Sequence, residues 1–381
     1  MVEPRTPRYI GGAPLDGDDE VEEWELDEEL EEQGLYRGTY RRLVLLYSLN
    51  PLTFAIAFAL LAALPHAFYP ISETWPYPSV PYLRHPFPEL LTSAALFSLS
   101  YLLRDPISSL FSFMFPSSFT KLSTVFATSL QTLLYLTLQQ LSLVLLSVTQ
   151  HAPAKPTTRD AAFRRVWWLA LGWACAEAVI NISKGYQARA LYRDVLVTVR
   201  RSEDGPGKSN GTENQDDVYD GQRSQPFGDE EAGEYHPLLS KGAEDKDQAI
   251  KLLVEDELDE LIAMRAREEL EDAYGVPVIR IPVFLTCLQR VNDLLLTLGL
   301  TLLLAQAYLR SAVSRDDPLP GSSNFSLMIA APVAWVGQCY LALLHTPVIL
   351  PRMGVPTVVY HASLMSLSAF FGGLAAWKGL S

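Results

Sequence analysis

The sequence has few cysteines and no residue spacing that usually carries catalytic chemistry. Its three cysteines, Cys175, Cys287 and Cys339, form no CxxC pair and lie in apolar stretches without a bracketing histidine pattern. We expect them to be buried free thiols that act as small apolar residues. No GxSxG, HExxH or P-loop pattern occurs. The sequence therefore predicts no catalytic residue, no metal site and no cofactor, and it gives enzyme activity no positive support.

The chain also has no apolar segment at its N-terminus. The first apolar stretch begins at Leu43, behind an acidic tail, so we expect the first span to act as the membrane signal. Long apolar blocks follow, and 49% of the 381 residues are hydrophobic. Because roughly 20 apolar residues cross a bilayer, the blocks predict an all-α polytopic bundle of about seven spans in the lipid bilayer. The predicted spans are 43–64, 88–103, 122–148, 166–182, 281–309, 327–350 and 355–377.

The charges are distributed very unevenly along the chain. Residues 1–42 and 203–272 hold 35 of the 44 carboxylates, and the rest of the chain carries 18 basic and 9 acidic side chains. This pattern indicates a basic membrane body with two acidic, solvated appendages. Acidic arms repel phosphate, so we expect no nucleic-acid partner.

These features divide the chain into four parts. An acidic, disordered cytosolic tail (1–42) precedes a first membrane half of four spans (43–201). An acidic cytosolic loop (202–280) then precedes a second membrane half of three spans (281–381). Within the loop, the apolar spacing predicts an amphipathic helix at about 247–273 that packs on the protein or on a partner.

The basic residues near the spans favour a cytosolic N-terminus. In that orientation 13 basic side chains close to spans face the cytosol and 8 face the lumen, which is the direction of the positive-inside rule. The loop at 149–165, with its four basic residues, counts against the arrangement. Residues 203–273 are then expected to face the cytosol.

Charged and amide side chains inside the apolar blocks are the candidate functional residues. Glu177 lies in the middle of the fourth span, and Arg290 and Asp293 lie one helical turn apart in the fifth. Three interpretations are open: a structural Glu177–Arg290 ion pair, a proton or ion path through Glu177 and Asp293, and snorkelling of residues near span ends. Gln139 and Gln140 in the third span either form hydrogen bonds between helices or line a solute path.

Aromatic and small residues predict how the helices are placed. We expect Trp167, Trp168 and Trp173 to mark the start of the fourth span at the membrane interface, and Tyr186 and Tyr192 to mark its far end. Gly372 and Gly373 predict a face of close helix packing. Only four residues separate the last two predicted spans, which predicts a tight antiparallel hairpin.

The acidic loop contains a candidate sorting signal. Glu234, followed after three residues by Leu238 and Leu239, matches the acidic dileucine pattern and resembles the signals that clathrin adaptors bind on vacuolar and lysosomal membrane proteins. A clathrin adaptor is therefore a possible partner. Asn210 begins a glycosylation sequon in the same loop. The two signals require opposite sides of the membrane, and the flanking arginines favour the dileucine interpretation.

Two stretches resemble uncharacterised multi-pass vacuolar or endomembrane proteins of fungi. They are GTYRRLVLLYSLNPLTF at the first span and LGWACAEAVINISKGYQARALYRDVLV at the fourth. The resemblance covers the membrane body and not the acidic arms. It implies a vacuolar or other endomembrane location and brings no catalytic residues.

Two functions from different classes agree with these features. The first is an integral endomembrane protein with a transporter-like or trafficking role and an unknown substrate. The second is a membrane-anchored scaffold or receptor that recruits cytosolic partners through its acidic tail and loop. The sequence leaves the substrate and the oligomeric state open.

Overall fold

The computed structural model describes residues 30, 34–68, 86–114, 120–146, 156–197, 242–314 and 324–379. These residues are mainly helical. The α-helices are α1 (Tyr40–Tyr47), α2 (Leu49–Phe68), α3 (Phe87–Leu102), α4 (Arg104–Met114), α5 (Thr120–Leu145), α6 (Ala161–Ala190), α7 (Gly242–Tyr274), α8 (Val283–Leu309), α9 (Phe325–Leu344), α10 (Leu350–Met353) and α11 (Val355–Ala376). Short 3-10 helices span Val278–Arg280 and Ala312–Ser314, and two-residue strands span Tyr36–Arg37 (β1) and Leu196–Val197 (β2).

Five of the described helical segments are long and apolar enough to cross a membrane. They are Tyr40–Pro65, which joins α1 to α2, and the helices α6, α8, α9 and α11. The sequence predicts seven spans, and the other two fall on α3 and α5. At 16 residues, α3 is about 24 Å long, which is less than the roughly 30 Å hydrocarbon core. The 26-residue α5 is long enough but more polar.

The outer helices carry long apolar surfaces that no other part of the described chain covers. On α2, Leu52, Ile56 and Leu60 are exposed, and α9 exposes Met328 and Val333. Contiguous apolar surface of this extent is typical of contact with lipid or with another protein. The arrangement is consistent with a membrane protein whose outer helices contact the bilayer.

Helix α8 lies at the centre of the bundle. It packs against α11, α6, α2 and α9. Leu294, Leu298 and Leu302 on α8 are buried in the main hydrophobic core together with residues of α6 and α11. Leu300 and Leu304 face a second cluster with Leu136 and residues of α9. A helix that is apolar all round is suited to this central position.

The last long helix packs on α8 and not mainly on its sequence neighbour. The predicted hairpin of the last two spans is therefore wrong in its packing, because α9 and α11 contact each other only slightly. Glycine explains the preference: Gly299 on α8 lies against the backbone of Ala369 and Phe370, and an added Cβ at Gly373 would lie 2.9 Å from the Gly299 carbonyl oxygen. Small residues let the two backbones approach closely.

Trp167 and Trp173, which were expected in the membrane interface, are instead core residues. Trp167 is fully buried, and its Nε1 donates a hydrogen bond to the Leu61 carbonyl at 3.0 Å. Trp173 is also buried, and its ring centroid lies 5.6 Å from that of Phe97. The three cysteines are free thiols, as predicted, but they are half-buried and not buried.

A small non-helical structure holds one end of the bundle together. Strands β1 and β2 pair in parallel, with Tyr36 opposite Leu196. The hydroxyls of Tyr36 and Tyr192 both donate to Glu271 Oε1, at 3.1 and 2.9 Å, and the Val278 amide donates to the Tyr192 hydroxyl at 3.3 Å. We call these four residues (Tyr36, Tyr192, Glu271 and Val278) the tyrosine cap. The prediction of an all-α fold did not include this strand pair. Tyr192 is fully buried in the protein and is therefore not an exposed interfacial ring.

Helix α7 contains the amphipathic segment expected at 247–273 and begins five residues earlier. Its C-terminal end packs on the body, through Glu271 in the tyrosine cap and through contacts with α10. On the predicted apolar face, Leu258, Leu261 and Ile262 are exposed in the described part of the chain.

Candidate functional site

Three helices meet around the carboxylate of Glu177. It is the seventeenth residue of the 30-residue α6, so it lies about 24 Å along the helix axis from Ala161. Tyr135 on α5 and Thr297 on α8 are close to the middle of their own helices. A carboxylate at this depth in a membrane-spanning helix is costly and usually has a functional or pairing role.

Two hydroxyl groups hold this carboxylate. The Tyr135 hydroxyl donates to Glu177 Oε2 at 3.0 Å, and the Thr297 hydroxyl donates to the same oxygen at 3.4 Å. We call Tyr135, Glu177 and Thr297 the carboxylate cluster. Both donors are neutral, so they orient the carboxylate without cancelling its charge.

Aromatic packing fixes the position of the Tyr135 hydroxyl. The Tyr135 ring meets the Trp173 ring edge-on, with centroids 5.0 Å apart and an interplanar angle of 83°. Phe97 on α3 completes the group, with its centroid 6.4 Å from that of Tyr135. Edge-to-face pairs of this kind have a preferred geometry. The tyrosine therefore has little freedom to swing away from Glu177.

A line of hydrogen bonds continues from the carboxylate cluster to one of the predicted amides. Thr301 donates from its hydroxyl to the Thr297 carbonyl at 2.6 Å, and Gln139 Nε2 donates to the Thr301 hydroxyl at 2.6 Å. Gln139 and Thr301 are fully buried. Gln139 thus forms the expected bond between helices. Gln140 does not join the line: its buried side-chain nitrogen and oxygen have no hydrogen-bond partner within the described part of the chain.

The predicted Glu177–Arg290 ion pair is not formed. Arg290 Nη1 instead lies 2.9 Å from Asp293 Oδ2, one turn away on the same helix. Among the described residues, no basic side chain forms an ion pair with Glu177. The i,i+3 spacing on α8 explains the result, because it places the Arg290 and Asp293 side chains on one face. Asp293 precedes Thr297 by four residues, so the ion pair and the carboxylate cluster share a face of α8.

The sequence did not identify Tyr135, Thr297 or Thr301 as site residues. Each is common in membrane helices and has no charge to mark it. The available signal was spacing: Tyr135 and Gln139 are four residues apart, as are Thr297 and Thr301, so each pair shares a helix face. The sequence could not show that these two faces meet.

Two kinds of prediction lie outside the described residues. The sorting residues Glu234, Leu238 and Leu239 fall in the undescribed segment 198–241, as does Asn210. The disorder expected for most of the acidic tail falls in the undescribed segment 1–29. Within the described ranges, no group of three histidine, cysteine, aspartate or glutamate side chains could hold a metal ion.

The five long apolar helices are consistent with a membrane protein, and the carboxylate cluster gives the helical bundle a polar centre. Comparison of the chain with family models, with curated proteins and with solved structures finds no match in any of the three. Chemically, the cluster can bind a proton or a small cation, since its carboxylate has two neutral hydroxyl partners and no ion-paired base among the described residues.

Proposed function

We propose that this chain is a multi-pass endomembrane protein with a transporter-like role, in which Glu177 carries a proton during solute movement. The observation that supports the proposal is the bonding of Glu177 to the Tyr135 and Thr297 hydroxyls, with no ion pair to a basic side chain among the described residues. A carboxylate that is not held in an ion pair can gain and lose a proton, and intramembrane carboxylates serve in proton relays. The same observation weighs against a purely structural pairing role.

The membrane domain in this proposal has seven helices. Besides the five segments that are apolar enough to span, α3 and α5 pack against α6 and contribute Phe97 and Tyr135 to the surroundings of Glu177. A short helix such as α3 can span if the bilayer thins locally. Seven spans place the N-terminus and α7 on the same side of the membrane, which is the cytosol by the positive-inside count.

Proton movement in reconstituted vesicles tests this function. The full chain is incorporated into vesicles containing a trapped pH indicator, and amino acids, short peptides, sugars and inorganic ions are added one at a time under a pH gradient. We expect at least one solute to move protons with the wild-type chain and none with Glu177→Gln. Glu89→Gln is the matched control, because Glu89 lies in the first turn of α3 and pairs with Arg165 at 3.7 Å. Solute-driven proton movement that survives in Glu177→Gln would contradict the proposal.

We propose the vacuole or a related endomembrane as the location. The dileucine pattern at Glu234, Leu238 and Leu239, with a clathrin adaptor as its partner, supports this address, as does the resemblance of the membrane body to vacuolar proteins. A fluorescent fusion tests it: the wild-type chain should reach the vacuolar membrane, and the Leu238→Ala/Leu239→Ala variant should be redirected. An unchanged location of the double variant would show that the dileucine pattern does not direct the protein to this membrane.

A scaffold role is the second candidate, and the exposed face of α7 favours it. Leu258, Leu261 and Ile262 leave an apolar strip uncovered on an otherwise charged helix, which is a common way to dock a partner helix. Removing the apolar strip tests this role. If the scaffold role is correct, Leu258→Ser/Leu261→Ser should abolish the cellular function of the protein, while the vesicle assay detects no transport of any solute.

A further inference from the structure

A cavity at the end of the bundle that carries the tyrosine cap has a strongly basic lining. Its volume is about 280 Å³, and three arginines line it: Arg37, Arg42 and Arg280. The other lining residues are Leu35, Tyr36, Gly38, Thr39, Leu43, Leu46, Leu196 and Ile279. None of these eleven residues is acidic. We call this cavity the arginine pocket.

Three separate segments of the chain build the arginine pocket. Arg37 is the last residue of β1, Arg42 lies in the first turn of α1, and Arg280 ends a 3-10 helix that leads into α8. Hydrogen bonds hold the segments in place: the Tyr36 amide donates to the Val195 carbonyl at 2.9 Å, and the Gly38 amide donates to the Val197 carbonyl at 3.1 Å. The tyrosine cap links the 3-10 helix to the same structure. The arginines are therefore brought together by the fold and not by sequence adjacency.

The wall of the arginine pocket is continuous with the apolar surface of the bundle. Leu43 and Leu46 line the pocket and belong to α1, the start of the candidate span Tyr40–Pro65. Further along the same segment, Leu49 and Leu52 are exposed. The pocket thus has a basic rim at the position where the membrane-facing surface begins. A ligand there would place an anionic group against the guanidinium groups and an apolar chain along the leucines.

We propose that the arginine pocket binds the headgroup of an anionic phospholipid that carries a phosphomonoester. Guanidinium groups bind phosphate oxygens with paired N–H donors, and a phosphomonoester offers more charge and more free oxygens than the diester of an ordinary phospholipid. Basic pockets between membrane helices are known binding sites for such headgroups. The proposal does not depend on a transport role for Glu177, since it concerns a different part of the molecule.

Lipid binding by the purified full chain tests the proposal. The chain in neutral phosphatidylcholine nanodiscs is titrated with phosphatidic acid, with a phosphoinositide monophosphate and with phosphatidylserine, and bound lipid is counted by native mass spectrometry. We expect one phosphomonoester lipid bound per chain, and weaker binding of phosphatidylserine. The variant Arg37→Gln/Arg42→Gln/Arg280→Gln should bind roughly 100-fold more weakly, because it loses three charged hydrogen-bond donors to the phosphate.

A matched variant separates a built site from general surface charge. Arg41→Gln/Arg193→Gln/Arg352→Gln removes the same charge from exposed arginines outside the pocket lining, and we expect it to lose less than a few-fold. Equal loss in both triple variants would overturn the proposal, as would competition by inorganic phosphate at the lipid's own concentration, which would indicate a site for a free anion.

A photoactivatable lipid headgroup gives a readout that needs no substitution. Its crosslinks in the wild-type chain should map to the peptides containing 35–46 and 279–280. Crosslinks confined to other surfaces would contradict the assignment even if the arginine variants fail to fold.

Discussion

The hydroxyl of Tyr135 donates a hydrogen bond to the carboxylate of Glu177 at 3.0 Å and so joins α5 to α6 in the middle of the bundle. Thr297 adds a bond from α8 to the same oxygen. One carboxylate therefore connects three helices through neutral donors. A carboxylate held by neutral donors should respond to substitution differently from a carboxylate held in an ion pair.

The stability lost when Glu177 is replaced should depend on whether the new side chain keeps a hydrogen-bond acceptor. Glu177→Gln keeps a side-chain oxygen for the Tyr135 and Thr297 hydroxyls, so we expect less than about 1 kcal/mol loss in the free energy of unfolding. Glu177→Leu leaves both hydroxyls without an acceptor and should cost about 1–3 kcal/mol. Unfolding of the purified variants in mixed micelles measures both values. Equal destabilisation by Gln and Leu would show that the negative charge itself stabilises the bundle.

Arg290 should be energetically coupled to Asp293 and not to Glu177. A double-mutant cycle with Arg290→Gln and Asp293→Asn is expected to give a coupling of about 0.6 kcal/mol, with about 1.7 kcal/mol as the upper range for polar pairs in membrane proteins. The parallel cycle with Arg290→Gln and Glu177→Gln should give a smaller value, because the Arg290 guanidinium pairs with Asp293 at 2.9 Å. The prediction fails if the larger coupling belongs to Glu177.

The close approach of α8 and α11 should not tolerate a methyl group at Gly299. A Cβ at this position would overlap the backbone of Ala369 and Phe370, so Gly299→Ala is expected to destabilise the protein by about 1–3 kcal/mol. Gly372→Ala is the matched control, because its Cβ would lie 3.9 Å from Leu303 in ordinary contact. Thermal unfolding of the two variants side by side measures the difference. Similar melting temperatures would mean that the helices can separate at little cost.

The tyrosine cap should depend on the Tyr192 hydroxyl and on its proton. Tyr192→Phe removes bonds to Glu271 and Val278 and should cost about 1–3 kcal/mol. Burial, with the nearby Glu271 carboxylate, raises the pKa of Tyr192 above its usual value. A raised pKa means that the folded state keeps the proton when the unfolded state loses it, near pH 10. The stabilisation is therefore present below about pH 10 and falls above it.

An alkaline unfolding series checks the sign of this effect. The wild-type chain should lose stability above about pH 10 more steeply than Tyr192→Phe does. Tyr340→Phe, which alters an exposed tyrosine on α9, should follow the wild-type curve. A Tyr192→Phe curve parallel to the wild type would contradict the linkage.

The sequence predicted helix existence well and helix packing poorly. Apolar blocks are sufficient to place long helices, because the periodicity and length are local properties. Partner choice is not local: α11 packs on α8 through Gly299 and Gly373, and only the three-dimensional structure shows that these glycines face each other. Trp167 is a second example, because the position of an indole near the start of a helix does not distinguish an interfacial ring from a core residue.

Of the three residues in the carboxylate cluster, the sequence identifies one, Glu177. Glu177 could be found because a carboxylate in an apolar block is rare and costly. Its partners could not, because Tyr135 and Thr297 are uncharged and lie on other helices. Arg290 was the obvious counter-charge by type, but its own neighbour Asp293 is nearer on the same helix face. The i,i+3 spacing within α8 therefore decides which carboxylate Arg290 pairs with.

The most direct test of the central claim is chemical labelling of Glu177 by an apolar carbodiimide. Such a reagent partitions into the bilayer and adds to the protonated form of a carboxyl group, and an O-to-N acyl shift then leaves a stable N-acylurea that mass spectrometry can map to one residue. We expect an adduct on Glu177 of the full chain in vesicles, reduced as the pH is raised. An adduct on Asp293 alone, no adduct at any pH, or labelling of Glu177 that does not change with pH would contradict a proton-carrying role.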